Sequence, residues 1–407
     1  MKCYDTIIIG GGPAGLAASE IASEKGSVLL IEREAKLGGI LKQCIHDGFG
    51  VTRFKMKLSG PEYAYEEIQA IKDKNVEVSL LTFVTSICRQ NDDYIVTFVN
   101  TSGVDVAKTK KLILSTGCRE RTSKQIGIHG TNPAGIMTAG QAQYYINILG
   151  KMPLKNAVIL GSGDIGLIMA RRITLEGGHV IGVYEAKSTP SGLTRNLVQC
   201  LKDFDIPLHL SHTVTRVFGK DRLEEVEISK VDEKMRPIKG TESRIKCDAL
   251  ILSVGLIPEN ELAKSLNVPL SNKTKGPLVD QNFETLVDGI YACGNAVHVN
   301  DLADYVSESG EIAGKMNDVH ERHLIKVKED NNFLYVVPQF VDLNSSTESM
   351  IFYFRSKNEY KNKKLMVYQG DELIFKKNYS FLKPPEMERI IISLKNNKEL
   401  QFKLEDM

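Results

Sequence analysis

Two glycine-rich hexapeptides, each directly behind a short apolar run, constrain this chain more than any other feature: Gly10-Gly11-Gly12-Pro13-Ala14-Gly15 and Gly161-Ser162-Gly163-Asp164-Ile165-Gly166. One G-x-G-x-x-G is a weak signal. Two copies, each with a strand before it and an acidic residue at the end of the next strand, predict two βαβ units that each hold a dinucleotide. In the first copy Thr6-Ile7-Ile8-Ile9 reads as a buried parallel strand. Gly10 permits the tight turn, Gly12 lets the backbone approach a pyrophosphate, and Gly15 lets a helix over Leu16–Lys25 lie close on the sheet. That helix aims its N-terminal amides and dipole at the phosphates. The next strand, Ser27–Ile31, ends at Glu32, whose carboxylate can accept the ribose hydroxyls of an adenosine. The plain alternative is a glycine-rich turn without a ligand.

The second copy repeats the design with a strand over Asn156–Leu160, a helix over Ile165–Leu175 and a strand over His179–Tyr184 closed by Glu185. A carboxylate there repels a 2′-phosphate and suits a free 2′-hydroxyl, and Ala186-Lys187-Ser188 places no arginine beside it. The expectation is NAD(H) rather than NADP(H), with Lys187 left as a group that could reach a phosphate.

At 407 residues the chain has room for two or three domains. A net charge of +1 gives no long-range attraction to nucleic acid or acidic membranes. No apolar stretch approaches the ~18 residues of a membrane span, and the N-terminus reads as a strand rather than a signal peptide. The seven cysteines are scattered without a CxxC, against a disulfide framework, a metal site or a cysteine-ligated cluster. A cytoplasmic setting is expected.

Between the fingerprints lie a helical stretch near Pro61–Lys74 and the alternating strands Val76–Leu80 and Tyr94–Val99, before Lys111–Gly117 returns to the first sheet. In the second half Leu223–Lys230 alternates and Ala249–Gly255 returns to the second sheet, while Gly289–Asn295 reads as a strand rejoining the first. The fold expected is α/β: two Rossmann-like dinucleotide-binding domains, the second inserted in the first, plus a small C-terminal β-sandwich-like domain. The boundaries are 1–122 with 280–325, 123–279, and 326–407. A helix is expected from the Gly310–Gly314 region to about Glu321. Beyond it, Phe333–Val337, Met350–Phe354, Lys364–Tyr368, Glu372–Phe375 and Arg389–Ser393 are short strand-like runs. They carry no catalytic cluster, and the readings are a passive appendage or a docking surface for a partner subunit.

This layout resembles the two-dinucleotide flavoprotein oxidoreductases related to thioredoxin and glutathione reductase, the pyridine nucleotide-disulfide oxidoreductase superfamily. Its tags are Ser115-Thr116-Gly117, Val254–Asn260 and Ile290–Asn295. The resemblance implies FAD in the first site, on Gly10, Gly12, Pro13, Ala14, Gly15, Glu32, Arg33, Gly38, Gly39, Val84, Thr116, Gly117, Gly294 and Asn295. It implies NAD(H) in the second, on Gly161, Gly163, Asp164, Ile165, Gly166, Glu185 and Gly255. Two departures stand out. Asn295 replaces the usual aspartate of the flavin tag, keeping a hydrogen-bonding group but losing a charge. The redox dithiol is missing: Leu37-Gly38-Gly39 is followed by the single Cys44, and Gly135–Gln141 holds no cysteine. Reduction of a disulfide by an internal dithiol is excluded.

The segments Gly39–Gly50, Gly117–Thr122, Gly161–Arg172 and Gly192–Leu201 most resemble the FAD/NAD oxidoreductase subunit that accompanies an anaerobic-type glycerol-3-phosphate dehydrogenase. They resemble less closely subunits of hydrogen cyanide synthase and dye-linked proline dehydrogenases. The partners this implies are a dehydrogenase subunit together with a small cysteine-rich subunit, and an oligomer is expected. The reaction is hydride exchange between NAD(H) and enzyme-bound flavin.

Cys44 and His46 are the catalytic candidates, as a redox or peroxide-reducing thiol and a proton donor. The plainer readings are a packed thiol and a loop hydrogen-bond partner. His298 is read either as lying by the flavin or as capping the following helix. Arg119-Glu120-Arg121 is expected to form hinge ion pairs, and Asp301, Asp304 and Glu308 to favour a helix N-terminus. Cys3, Cys88, Cys200, Cys247 and Cys293 are expected in the core. The rival readings of the whole chain are a stand-alone NADH oxidase or peroxidase using Cys44, and a non-catalytic nucleotide-binding subunit.

Overall fold

The computed structural model describes residues 1–316, 321–347, 349–395 and 397–407. Contacts divide the chain into two units: Met1–Cys118 with Pro258–Met407, and Arg119–Ile257.

The first unit is built on a five-stranded parallel sheet. Its spatial order is Ile290–Ala292, Lys111–Leu114, Thr6–Ile9, Val28–Ile31, Val76–Ser79. This is a doubly wound arrangement: the chain leaves Thr6–Ile9 for Val28–Ile31 on one side and later returns to Lys111–Leu114 on the other. Such a reversal opens a crevice at the carboxyl ends of the strands on either side of it. Thr6–Ile9 and Val28–Ile31 are buried throughout, as expected for strands covered on both faces. A second sheet, Lys2–Cys3, Gly103–Thr109, Asp93–Asn100 and Phe83–Gln90, forms the crossover between Val76–Ser79 and Lys111–Leu114. The fingerprint helix runs Pro13–Ala22, beginning before and ending before the predicted Leu16–Lys25. Proline at its first turn carries no N–H to lose and has φ already set. The helix Ala303–Lys315 lies against it through small residues. A Cβ on Gly310 would come 2.1 Å from the Ala14 carbonyl oxygen, and one on Gly314 2.7 Å from that of Ala18. The sequence predicts this helix to about Glu321, and residues 317–320 lie outside those described.

The second unit repeats the plan. Its parallel sheet has the order Ile136–Thr138, Ala249–Leu252, Asn156–Leu160, His179–Glu185, Leu208–Leu210. The matching crossover sheet is His129–Gly130, His212–Gly219, Leu223–Lys230 and Ser243–Lys246.

The predicted boundary at 279 is corrected. Residues 258–279 belong to the first unit, because Ala263, Val268 and Val279 join its core and the Glu259 N–H donates to the Gly117 carbonyl at 2.9 Å.

The C-terminal region forms two sheets over one core. Five strands (Phe340–Asp342, Leu324–Glu329, Leu400–Asp406, Tyr360–Gln369, Glu372–Leu382) face three (Phe333–Val337, Ser349–Ser356, Glu388–Ser393), with Phe333, Phe352, Phe354 and Phe402 between them. It is not a separate contact unit. Tyr335, Val337, Tyr353 and Met387 are part of the core that also holds Ile7 and Leu30. Cys200, Cys247 and Cys293 are buried as predicted, but Cys3 and Cys88 are exposed. Cys3 sits in a two-residue strand at the edge of its sheet, and alternation turns Cys88 outward because its neighbour Ile87 faces the core.

Candidate active site

Both glycine cradles are built alike. Gly10 (φ +108°) and Gly161 (φ +97°) hold left-handed turns, where a Cβ would meet the carbonyl oxygens of Ser115 at 2.4 Å and Ser253 at 2.1 Å. Gly15 lets its helix approach the strand, since a Cβ there would lie 1.8 Å from the Gly10 oxygen; at Gly166 the obstruction is Ser253 Cβ at 2.7 Å. Gly12 and Gly163, at the mouths, are less crowded: an added Cβ would make only ordinary van der Waals contacts. The nearest atoms to their added Cβ atoms are Gly39 Cα at 3.9 Å and Ser253 Oγ at 3.5 Å. Neither helix has a side-chain cap. In the second helix the Gly166 N–H is taken by Ser253 Oγ at 3.0 Å, but the remaining first-turn amides of both helices lie behind a glycine mouth, which is what a pyrophosphate requires, so both cradles fit a dinucleotide.

The two acidic residues also correspond. Glu32 Oε2 accepts the Gly11 N–H at 2.7 Å and Oε1 the Glu34 N–H at 2.8 Å. Glu185 Oε2 accepts the Ser162 N–H at 3.0 Å and Oε1 the Lys187 N–H at 3.0 Å. Each carboxylate is therefore fixed beside its own glycine turn. Asp164, at the second helix start, turns aside: its Oδ1 accepts Leu193 N–H at 2.9 Å and Asn196 Nδ2–H at 2.6 Å. Ile165 follows it in the first turn of that helix.

In the first unit Gly38, Gly39 and Gly294 lie against the same turn, and the other predicted residues are held by partners of their own. Gly38 N–H donates to the Gly11 oxygen at 2.8 Å, and Gly39 lies against Gly12. Gly294 is seated on Ala14, where a Cβ would come 2.8 Å from the Ala14 methyl. Asn295 follows it; its Oδ1 accepts the Asn300 N–H at 3.0 Å, and its Nδ2 contacts Cys118 Sγ at 3.5 Å. Thr116 Oγ1 donates to the Glu259 carbonyl at 2.6 Å, next to Gly117 at φ +71°. Arg33 forks onto the Glu259 carboxylate at 3.0 and 3.3 Å. Val84 lies in the core cluster. In the second unit Gly255 adopts φ +93° with open space around it.

Cys44 ends the short 3-10 turn Gly39–Gln43 and its thiol donates to the Ile40 carbonyl at 3.4 Å. His46 is half-buried and stacks on Phe49 with ring centroids 5.0 Å apart. The loop that follows is anchored by residues to which the sequence assigns no role in the site. Asp304 accepts the N–H groups of Gly50, Thr52 and Arg53 at 3.2, 3.0 and 2.7 Å, and the Arg53 guanidinium reaches Glu67 at 2.9 Å and Glu311 at 2.5 Å. Burial pushes the Glu67 carboxyl up to about 7. Glu120 accepts the Gly140 N–H at the start of the helix Ala139–Asn147.

The His298 ring does not cap the following helix, whose N-cap is Leu302 without a side-chain hydrogen bond. It is 1 % exposed between Tyr335 and Tyr353 of the C-terminal sheets, and burial, with Arg355 nearby, pushes its pKa down to about 3. Asp301 pairs with Arg355, and Glu308 with Arg389 at 2.7 Å and with the Tyr353 hydroxyl. These contacts depend on strands more than thirty positions downstream, so no local pattern could have signalled them.

A fold with two doubly wound sheets, each ending in a glycine cradle and a fixed carboxylate, defines a class of two-nucleotide proteins. The chain belongs to the pyridine nucleotide-disulphide oxidoreductase family, whose model matches residues 4–316. It is an FAD- and NAD(P)-dependent oxidoreductase. It is 24% identical over 306 residues to a ferredoxin–NADP reductase of Picrophilus torridus, covering 74% of this chain and 87% of that protein. It is 24% identical over 334 residues to one of the subunits of the opine oxidase of Agrobacterium tumefaciens, covering 77% and 64% respectively. Among solved structures, T. acidophilum thioredoxin reductase superposes with a TM-score of 0.63 at 22% identity, over 77% of this chain and 97% of that one. Among the described residues no helix is long and apolar enough to cross a membrane.

Proposed function

We propose that this chain is the NAD-handling flavoprotein subunit of a multi-subunit dehydrogenase of the glycerol-3-phosphate dehydrogenase type. A dehydrogenase subunit oxidises the organic substrate, and a small cysteine-rich subunit joins the two. The observation that carries the reading is the cysteine inventory. Both nucleotide cradles are intact, yet no two of the seven cysteines stand at CxxC or CxxxxC spacing and Cys44 has no second cysteine in its segment. With no dithiol of its own to receive electrons, the chain needs a partner to exchange them with. The opine oxidase relative, by name one component of a larger enzyme, supports the same arrangement.

The flavin and nicotinamide supply the hydride chemistry when bound; the chain supplies position. Backbone amides at Gly12 and Gly163 would meet the phosphates, Glu32 would accept both ribose hydroxyls of one nucleotide and Glu185 a ribose hydroxyl of the other, and Asp304 with Arg53 anchors the Gly50–Arg53 loop. Glu185 favours NAD(H). A peroxidase centred on Cys44 gains no support from a thiol donating to the carbonyl of Ile40.

The test is an anaerobic visible spectrum of the purified chain before and after NADH, then the rate with artificial acceptors with and without the co-expressed partner subunits. A flavin spectrum that bleaches with NADH more readily than NADPH, and a rate that rises with the partners, are expected. Equal rates with and without partners would overturn the proposed place in a complex.

A further inference from the structure

Of the three positions at which the two glycine hexapeptides differ, one sits behind the carboxylate. In the first, the residue after the leading glycine is Gly11, which offers Glu32 only its N–H. In the second it is Ser162, fully buried, which offers Glu185 both its N–H at 3.0 Å and its hydroxyl at 2.6 Å. The same hydroxyl oxygen accepts the Ser191 N–H at 2.9 Å. Ser191 begins a segment folded back over the cradle: Leu193 and Asn196 are tied to Asp164, and Gly192 lies so close that a Cβ would come 2.8 Å from the Ser162 carbonyl oxygen.

A carboxylate has about four acceptor positions. Glu32 has two filled by the protein and two left for the two hydroxyls of a ribose. Glu185 has three filled, two on Oε2 and one on Oε1, so its free capacity is on Oε1. The second carboxylate is thus pinned through Oε2 and presents one oxygen in a fixed direction. A pinned anion cannot swing aside to admit a 2′-phosphate, whereas one held by backbone alone can.

We propose that Ser162 is a positioning residue for nucleotide choice: its hydroxyl, braced by Ser191, locks Glu185 in the orientation that accepts a ribose hydroxyl and rejects a 2′-phosphate. The proposal rests on the NAD(H) reading of the second site and says what enforces it. It also assigns the Ser191–Asn196 segment a task, since removing its hold on Ser162 should loosen Glu185.

The experiment is calorimetric titration of the flavin-loaded protein with NAD⁺ and NADP⁺, neither of which reduces oxidised flavin, for the wild type, Ser162→Ala and Ser162→Thr. A hydrogen bond to a charged group commonly contributes enough to shift a binding ratio on the order of tenfold. Ser162→Ala is expected to lower the NAD⁺:NADP⁺ affinity ratio by about that factor, with flavin content unchanged. Ser162→Thr, which keeps the hydroxyl, should restore most of the ratio. In steady state the alanine variant should raise KM for NADH with little effect on kcat. A merely structural role would weaken both nucleotides equally, leave the ratio unmoved, and so overturn the proposal. A wild type that prefers NADP⁺ would instead overturn the NAD(H) reading itself. If Ser162→Ala lost its fold, the ratio measured on Ser191→Ala and Ser191→Pro, of which only the second removes the N–H, decides the matter: a fall confined to the proline variant supports the brace, and equal ratios overturn it.

Discussion

A methyl group on Gly15 would have to occupy the space of the Gly10 carbonyl oxygen, 1.8 Å away, and neither partner is a flexible side chain. Gly15→Ala must therefore lift the fingerprint helix from its strand. The expected result is a loss of ~1–3 kcal/mol of stability together with loss of bound flavin. Gly12→Ala makes the contrast, because its nearest obstruction is 3.9 Å away. It should leave the melting temperature of the flavin-free protein nearly unchanged while weakening FAD. Flavin content and thermal melts of both variants check this; equal destabilisation by the two would refute the division of labour. These glycines, with Glu32 and Glu185, were legible in the sequence because each answers a local demand of backbone geometry at fixed spacing. Ser162 was not. Its place in the fingerprint is unrestricted, and its role arises only when Ser191 folds back onto it.

At the scale of elements, the helix Ala303–Lys315 is held on one side by Ala14 and Ala18 and on the other by the C-terminal sheets through Glu308, Tyr353 and Arg389. His298 lies at that second junction, neutral in the folded chain down to about pH 3 against an ordinary value of 6.5. Between those values the unfolded chain binds a proton that the folded chain refuses. Stability therefore rises with pH across the window and is lost as the pH falls below 6.5. The slope contributed by one such group is at most about 1.4 kcal/mol per pH unit. Replacing His298 by Phe should remove that contribution, so denaturant melts at pH 5 and pH 7 should differ less for the variant than for the wild type. Parallel pH dependences would show that His298 does not titrate in this way. Elements with apolar strands were readable: Asn156–Leu160, Leu223–Lys230 and Phe333–Val337 stand at their predicted bounds. Leu324–Glu329 and Leu400–Asp406 were missed. Their outward positions carry Lys326, Lys328, Lys403 and Glu405, and alternation with charge at strand ends resembles a solvated loop until partners are known.

For the whole molecule, the C-terminal sheets complete the first unit and are not merely attached to it. Tyr335, Val337, Tyr353 and Met387 share a core with the first parallel sheet, and Arg355 and Arg389 are paired with Asp301 and Glu308. A chain ending at Arg322 should expose that core, leave two acidic groups unpaired, and give a poorly soluble product with little flavin. A truncated protein that is yellow and monodisperse would contradict this. The insertion of one nucleotide unit within another was legible from two returning strands. The assignment of residues 258–279 was not, because the turn at Glu259 fastens to Gly117 across a long sequence gap. That discontinuity has a consequence for how the protein is made. Lys111–Leu114 is synthesised early, but its parallel neighbour Ile290–Ala292 emerges only after the whole of Arg119–Ile257 has left the ribosome. The inserted unit, complete in itself, is free to fold first, and its folding draws together the ends of the loop that the outer unit must close. The unit that begins the chain can complete its sheet only after the inserted unit has been made, so Gly294, which is seated on Ala14 of the flavin cradle, joins that cradle only once synthesis has passed the inserted unit.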